Sequence, residues 1–184
     1  MGGGRHFRDF EQLGKGGWKM TTLYHGSYLP VPKPLAKAGR KNLDFGQGFY
    51  LTSILEQAKS WAEVIASRRG RTIEPVVSKY QFDEQLAKNE KARWKVFPCY
   101  DLEWLEFVIQ CRSGFDPSEQ YDIVEGGVAN DNVIDTVEDY EKGIITAEQA
   151  LGQLRYKHMN HLLCILNQQI VDKCLHYIGK ELLQ

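Results

Sequence analysis

Asp44-Phe45-Gly46-Gln47-Gly48-Phe49-Tyr50-Leu51-Thr52 is the stretch on which the reading of this chain turns. Glycines at 46 and 48 let the backbone approach a ligand closely or take φ > 0. Phe49–Thr52 reads as a short strand. Ser53 then stands where a helix cap belongs, ahead of Leu55, Ala58, Trp61, Ala62 and Ile65 at helical spacing. That helix should end near Gly70. Tyr50 thus opens a strand-to-helix turn, and Trp61 lies about three helical turns further on. Their rings are placed to face each other across a flat ligand.

Upstream, Thr21–His25 is short, β-rich and followed by Gly26-Ser27, a strand entering a turn. Residues 30–42 hold Pro30, Pro32, Pro34 and Gly39 with Lys33, Lys37, Arg40 and Lys41, the composition of a loop. Downstream, Pro75–Phe82 reads as a strand and Asp101–Cys111 as a helix capped by Asp101. Tyr121–Val124 reads as a strand leading into Gly126-Gly127. Residues 136–155 read as helical, with Thr146 capping a second segment. Leu162–Leu166 is the closing strand and Gln168–Leu183 a final amphipathic helix. Strands and helices mix without regular βαβ alternation, which favours an α+β fold.

A chain of 184 residues is long enough for one domain with a real core. Residues 1–19 carry six of the seventeen glycines and no periodic apolar pattern, so they are expected to be a disordered N-terminal extension. The glycine pair before Met20 suggests that Met20 is the native start and that the codons of Gly16-Gly17 are a translated ribosome-binding site. Residues 20–184 are expected to form a single domain. The net charge of −1 gives no bulk attraction to nucleic acid or membrane. No apolar run reaches the roughly 18 residues of a membrane span. The four cysteines lack zinc-knuckle spacing, and a reducing cytoplasm suits them.

Taken singly, the chemical candidates are ambiguous. A histidine at a strand end, such as His25, is commonly structural, a glycine pair serves many tight turns, and a tryptophan at helical spacing is commonly core. Together, His25-Gly26-Ser27, then Gly46-x-Gly48-Phe49-Tyr50-Leu51-Thr52, then Trp61 eleven residues after Tyr50, resemble the core of ADP-ribosyltransferases of the diphtheria-toxin and poly(ADP-ribose) polymerase branch. With Tyr121-Asp122-Ile123-Val124-Glu125-Gly126-Gly127-Val128-Ala129-Asn130-Asp131, the chain is similar over residues 21–180 to a bacterial toxin-like family of that superfamily.

The resemblance implies a split β-sheet core with flanking helices and NAD as co-substrate. It implies a mono-ADP-ribosyltransferase, a glycosyltransferase that cleaves the nicotinamide–ribose bond of NAD⁺ and passes ADP-ribose to a macromolecular acceptor, protein or nucleic acid. A toxin or defence effector beside a small antitoxin-like partner is the implied setting. His25 would hydrogen-bond the ribose next to the nicotinamide, and Gly26 would offer backbone groups to the carboxamide. Ser27 and Gly48 would complete the NAD-binding set. Tyr50 and Trp61 would sandwich the cationic ring, an arrangement aromatic faces favour.

The chain departs from the pattern in two places. The glutamate that steadies the ribosyl cation belongs at the start of the late strand, where this chain has Asn160, His161 and Leu162. His161 is the nominee: neutral, it accepts a proton but stabilises a cation less well than a carboxylate. Glu125, with Asp122 and Asp131, is a second acidic candidate, against a plain role in turns for the two aspartates. A serine that would meet the carboxamide is replaced by Ala58. The basic groups Lys33, Lys37, Arg40, Lys41 and Arg68, Arg69, Arg71 suit either a pyrophosphate, a nucleic acid or a solvated face. Trp104 and Phe107 suit a partner surface or the core. Besides the transferase stand an inactive nucleotide- or partner-binding module, an NAD glycohydrolase, and transfer of an RNA 2′-phosphate onto NAD⁺.

Overall fold

A computed structural model describes residues 12–13, 19–129, 133–155, 157 and 159–183. The fold is α+β, with two four-stranded sheets and six α-helices among the described residues. The strands are β1 (Gln12–Leu13), β2 (Lys19–Ser27), β3 (Phe49–Leu51), β4 (Val76–Asp83), β5 (Trp94–Val96), β6 (Ile123–Gly127), β7 (His161–Ile165) and β8 (Leu175–Leu182). The helices are α1 (Leu55–Arg69), α2 (Glu84–Asn89), α3 (Leu102–Arg112), α4 (Ile134–Glu141), α5 (Ala147–Leu154) and α6 (Gln168–Cys174). The chain falls into two compact units.

One unit contains the chain up to Lys33, Thr52–Ala92 and the chain from Gln169. Its sheet runs β1-β2-β4-β8, antiparallel throughout. Gln12–Leu13, inside the expected N-terminal extension, pairs with Lys19–Met20; most of that extension lies outside the described residues. Helix α1 buries Ala58, Ala62 and Ala66, one small residue per turn, and packs them with Val77, Tyr24 and Leu55. Ser53 does not cap this helix. The N-cap residue is Ile54, which makes no side-chain cap; just ahead of the helix the Thr52 hydroxyl accepts from Ile54 N at 3.1 Å.

The expected C-terminal helix is corrected by the structure. Helix α6 stops at Cys174, and the chain continues as β8, paired with β4 from Phe82↔Leu175 to Val76↔Leu182. Ile170, Val171 and Cys174 are buried as a helical face requires, but Ile178 is 53% exposed. Burial over β8 alternates with a period of two, and Gly179 sits at φ 149° beside a register shift. Strand pairing with β4 thus overrides the helical spacing.

The other unit contains Pro34–Leu51 and Arg93–Gln168. Its sheet runs β3-β7-β6-β5, with only the β5–β6 pair parallel. β6 continues through Gly126-Gly127, glycines expected to lie beyond the strand. Asp101 caps α3 by accepting from Trp104 N at 2.8 Å, and Thr146 and Gln149 form a reciprocal capping box on α5. One core cluster joins Phe45, Phe97, Trp104, Phe107, Val124, Val137, Leu154 and Cys164. Trp104 and Phe107 are therefore core residues; the Trp104 indole donates to Gly127 O at 2.7 Å. Among the described residues, no helix is long and apolar enough to cross a membrane.

Candidate functional site

In the first unit, His25 lies on β2 in register with Ser78, and Leu23 with Tyr80. Side chains alternate along a strand, so Leu23, His25 and Ser27 leave one face while Tyr24 and Gly26 leave the other. The Tyr24–Gly26 face takes α1. A Cβ on Gly26 would overlap the Ala58 carbonyl oxygen and lie 2.8 Å from Ala62 N. Gly26 is therefore demanded by the close approach of helix backbone to strand, and the backbone of Ala58 is what it meets. On the His25 face, Ser78 Oγ accepts from Val31 N at 3.0 Å and the Tyr80 hydroxyl donates to Val31 O. These two bonds clamp the chain after Ser27 beside His25.

Trp61 does not join the core. It stands on α1, 48% exposed, while the alanines of the same helix take the buried positions. Arg69 lays its guanidinium 4.5 Å from the centroid of the Tyr28 ring, a cation–π contact. Arg68 and Arg71 are exposed.

In the second unit, Tyr50 sits mid-strand on β3, half-buried against the core cluster. Its hydroxyl donates to Gly46 O at 2.7 Å and accepts from Phe45 N at 3.0 Å. Its ring lies 8° from parallel to Phe45, centroids 6.4 Å apart. Burial, reinforced by Cys164 and Asp44, pushes the phenol well above its ordinary 10.0. The Tyr50 hydroxyl is thus neutral near pH 7 and already engaged in two hydrogen bonds. The glycines before it divide the two roles glycine offers: Gly46 takes φ +77°, and a Cβ on Gly48 would overlap Cys164 Sγ.

The basic loop is pinned. Gln168 accepts from Ala36 N at 2.8 Å and donates to Pro34 O at 3.1 Å. Gln47 donates to Lys37 O and Gly39 O, at 2.8 and 2.7 Å. Lys37 is occupied by Asp116 at 2.7 Å and by Ser118, while Arg40 and Lys41 are exposed. Sequence reasoning missed both glutamines, because a side-chain amide that binds backbone leaves no periodicity or spacing to read.

His161 is the first residue of β7, in register with Gly127. Burial lowers its imidazole below the ordinary 6.5, so it is neutral near pH 7. Glu125 is in register with Leu163, two residues on, and therefore shares a face with His161. Tyr50 is in register with Cys164 and leaves the opposite face. Asp122 is structural. It accepts from Arg93 N at 2.8 Å, from the Arg93 guanidinium and from Asn167 Nδ2 at 2.8 Å. Burial alone would raise its carboxyl, but the bonds from Arg93 and Asn167 take it down to about 2. Asp131 lies outside the described residues.

The structure places His25, Gly26, Ser27 and Trp61 in one unit and Gly48, Tyr50 and His161 in the other. Among the described residues, no group of three or more His, Cys, Asp or Glu is arranged to hold a metal ion.

Residues 21–177 match the family described as "Protein of unknown function (DUF3990)", and the chain belongs to that family. No curated protein and no solved structure matches it.

Proposed function

We propose that this member of the DUF3990 family is an NAD-dependent mono-ADP-ribosyltransferase. The observation that carries the reading is the set His25-Gly26-Ser27, Gly46-x-Gly48-Phe49-Tyr50-Leu51-Thr52 and Trp61, with the Trp61 ring held out on a helix whose core is built from alanines. A half-exposed indole on a helix of small core residues is available to stack on a planar cation. The Tyr50 ring, fixed at its hydroxyl, is the aromatic surface that the resemblance assigns in the other unit. His25 donates to the ribose. His161 and Glu125 share the sheet face opposite Tyr50, so neither serves the ribose of a nicotinamide stacked on that ring. The acceptor is a macromolecule, and the setting a toxin or defence effector with a small protein partner.

The test is nicotinamide release from NAD⁺ by the wild-type protein and by Trp61→Ala, His25→Ala and Glu125→Gln. Trp61→Ala is the cleanest variant, because the ring contributes little to the core. Release by wild type with loss in Trp61→Ala and His25→Ala, and retention in Glu125→Gln, supports the reading; full activity in Trp61→Ala and His25→Ala refutes it.

A second reading, a module that binds a nucleotide or a partner without turnover, is favoured by one observation: β7 begins with His161 where the transferase pattern has a carboxylate. Sustained nicotinamide release excludes it. Release without transfer to any acceptor marks the chain as an NAD glycohydrolase.

A further inference from the structure

We propose that Asp44 and Arg112 are positioning residues that set the orientation of the Tyr50 ring. The inference rests on the reading of Tyr50 as an aromatic surface for NAD⁺. Both oxygens of the Asp44 carboxylate are committed. Oδ1 accepts from Arg112 Nε at 2.8 Å and meets Arg112 Nη2 at 2.7 Å, while Oδ2 accepts from Ala129 N at 2.7 Å. The two side chains are only 12% and 19% exposed. One carboxylate thus ties three parts of the unit together: the basic loop, the last residue of α3 and the chain leaving β6.

The residues that follow Asp44 are those that hold Tyr50. Phe45 N–H donates to the Tyr50 hydroxyl, Gly46 O accepts from it, and the fully buried Phe45 ring lies almost parallel to the Tyr50 ring. Tyr50 is therefore gripped at its far end by the Phe45 N–H and the Gly46 carbonyl, main-chain groups of the two residues that follow the fixed Asp44. A buried ion pair is weak as a source of net stability, because desolvation offsets most of the attraction. Its better use is to select one arrangement among several. The forked Arg112 contact fits that use, since the guanidinium fixes direction as well as distance. Asp44→Asn removes the charge, and Arg112→Lys keeps it but loses the fork. In both, the main chain of Phe45 and Gly46 loosens and the Tyr50 ring turns.

The experiment uses the full chain with ¹³C-labelled tyrosine. The Tyr50 ring signals are assigned by their loss in Tyr50→Phe, then followed in Asp44→Asn, in Arg112→Lys and in Arg93→Lys. The last alters a different ion pair of the same unit and serves as control. The expected result is displaced Tyr50 signals in the first two variants only, with KM for NAD⁺ raised about fivefold to tenfold and kcat within about twofold, the pattern of weakened uniform binding. Melting of each variant reports folding, and if Asp44→Asn does not fold, Arg112→Lys decides. Unmoved Tyr50 signals in the folded variants, whatever their melting temperatures, overturn the proposal and leave the pair as a structural staple. Should the wild type not cleave NAD⁺, the transferase reading fails, while the ring signals still decide whether Asp44 and Arg112 orient Tyr50.

Discussion

Tyr50 and His161 leave opposite faces of one four-stranded sheet: Tyr50 is in register with Cys164, and His161 lies three residues before Cys164 on the same strand. The two residues therefore do not share a side-chain environment. Their effects on stability should be independent, so Tyr50→Phe and His161→Gln combined should equal the sum of the single variants within about 0.5 kcal/mol. Denaturant melts of the four proteins check this. A coupling well above that figure would mean that the faces communicate through the strand pair β3–β7.

His161 should make stability depend on pH in a definite direction. Burial holds its folded-state value below the ordinary 6.5. As pH falls, the unfolded chain takes up this proton before the folded one does. The contribution is thus complete above about 6.5 and declines as pH drops from there toward the folded value. Unfolding free energies at about pH 7.5 and about pH 5.5 should differ less for His161→Gln than for the wild type. An identical difference in the two proteins would remove His161 as the cause.

Trp61→Ala separates recognition from folding. The ring is 48% exposed, so its removal should alter stability by no more than about 1 kcal/mol. In the transferase reading it also removes a stacking surface, and NAD⁺ affinity should fall about tenfold or more. Calorimetric titration of NAD⁺ into both proteins measures it. Equal affinities would mean that the indole is not the stacking surface.

The elements legible in the sequence were those with a local signature. Asp101 and Thr146 announced α3 and α5 because a capping side chain acts within three residues of itself. The alanine-lined helix α1 was legible from spacing. The segment 175–183 was not, because Leu175 and Ile178 stand at helical spacing, while the strand that forms is imposed by β4, some hundred residues away. The short β5 was equally hidden, since its three residues are ordered by the parallel neighbour β6. At the site, residue types were readable and faces were not: His161 was found as a candidate, but its pairing with Gly127, which puts it beside Glu125 and away from Tyr50, is a property of the sheet.

Gly26 has a packing role that can be tested apart from any ligand. An added Cβ would strike the Ala58 carbonyl oxygen and Ala62 N, both main-chain atoms of α1. Gly26→Ala should therefore cost about 1–3 kcal/mol. Shortening a side chain cannot relieve a clash with backbone, so adding Ala58→Gly should not restore the loss. Thermal melts of the single and double variants check both statements; recovery in the double variant would place the obstruction in the Ala58 side chain.

Asp122 distinguishes a structural carboxylate from a functional one. It receives Arg93 N, the Arg93 guanidinium and Asn167 Nδ2, and its own carbonyl accepts from Leu166 N at 2.9 Å. Asp122→Ala leaves the backbone bond in place but strips the acceptor from Arg93 N and Asn167, at a cost of about 2–3 kcal/mol. Arg93 is half exposed, so the ionic part is screened and the hydrogen bonds carry most of that figure. The carboxyl is held at about 2 against an ordinary 3.8. Its stabilisation is therefore complete above about 3.8 and is lost as pH falls through about 2. The wild type should lose stability across that acid window more steeply than Asp122→Ala, while NAD⁺ binding near neutral pH should be the same in both. If NAD⁺ binding instead fell in a folded Asp122→Ala protein, Asp122 would belong to the site and not to its scaffold.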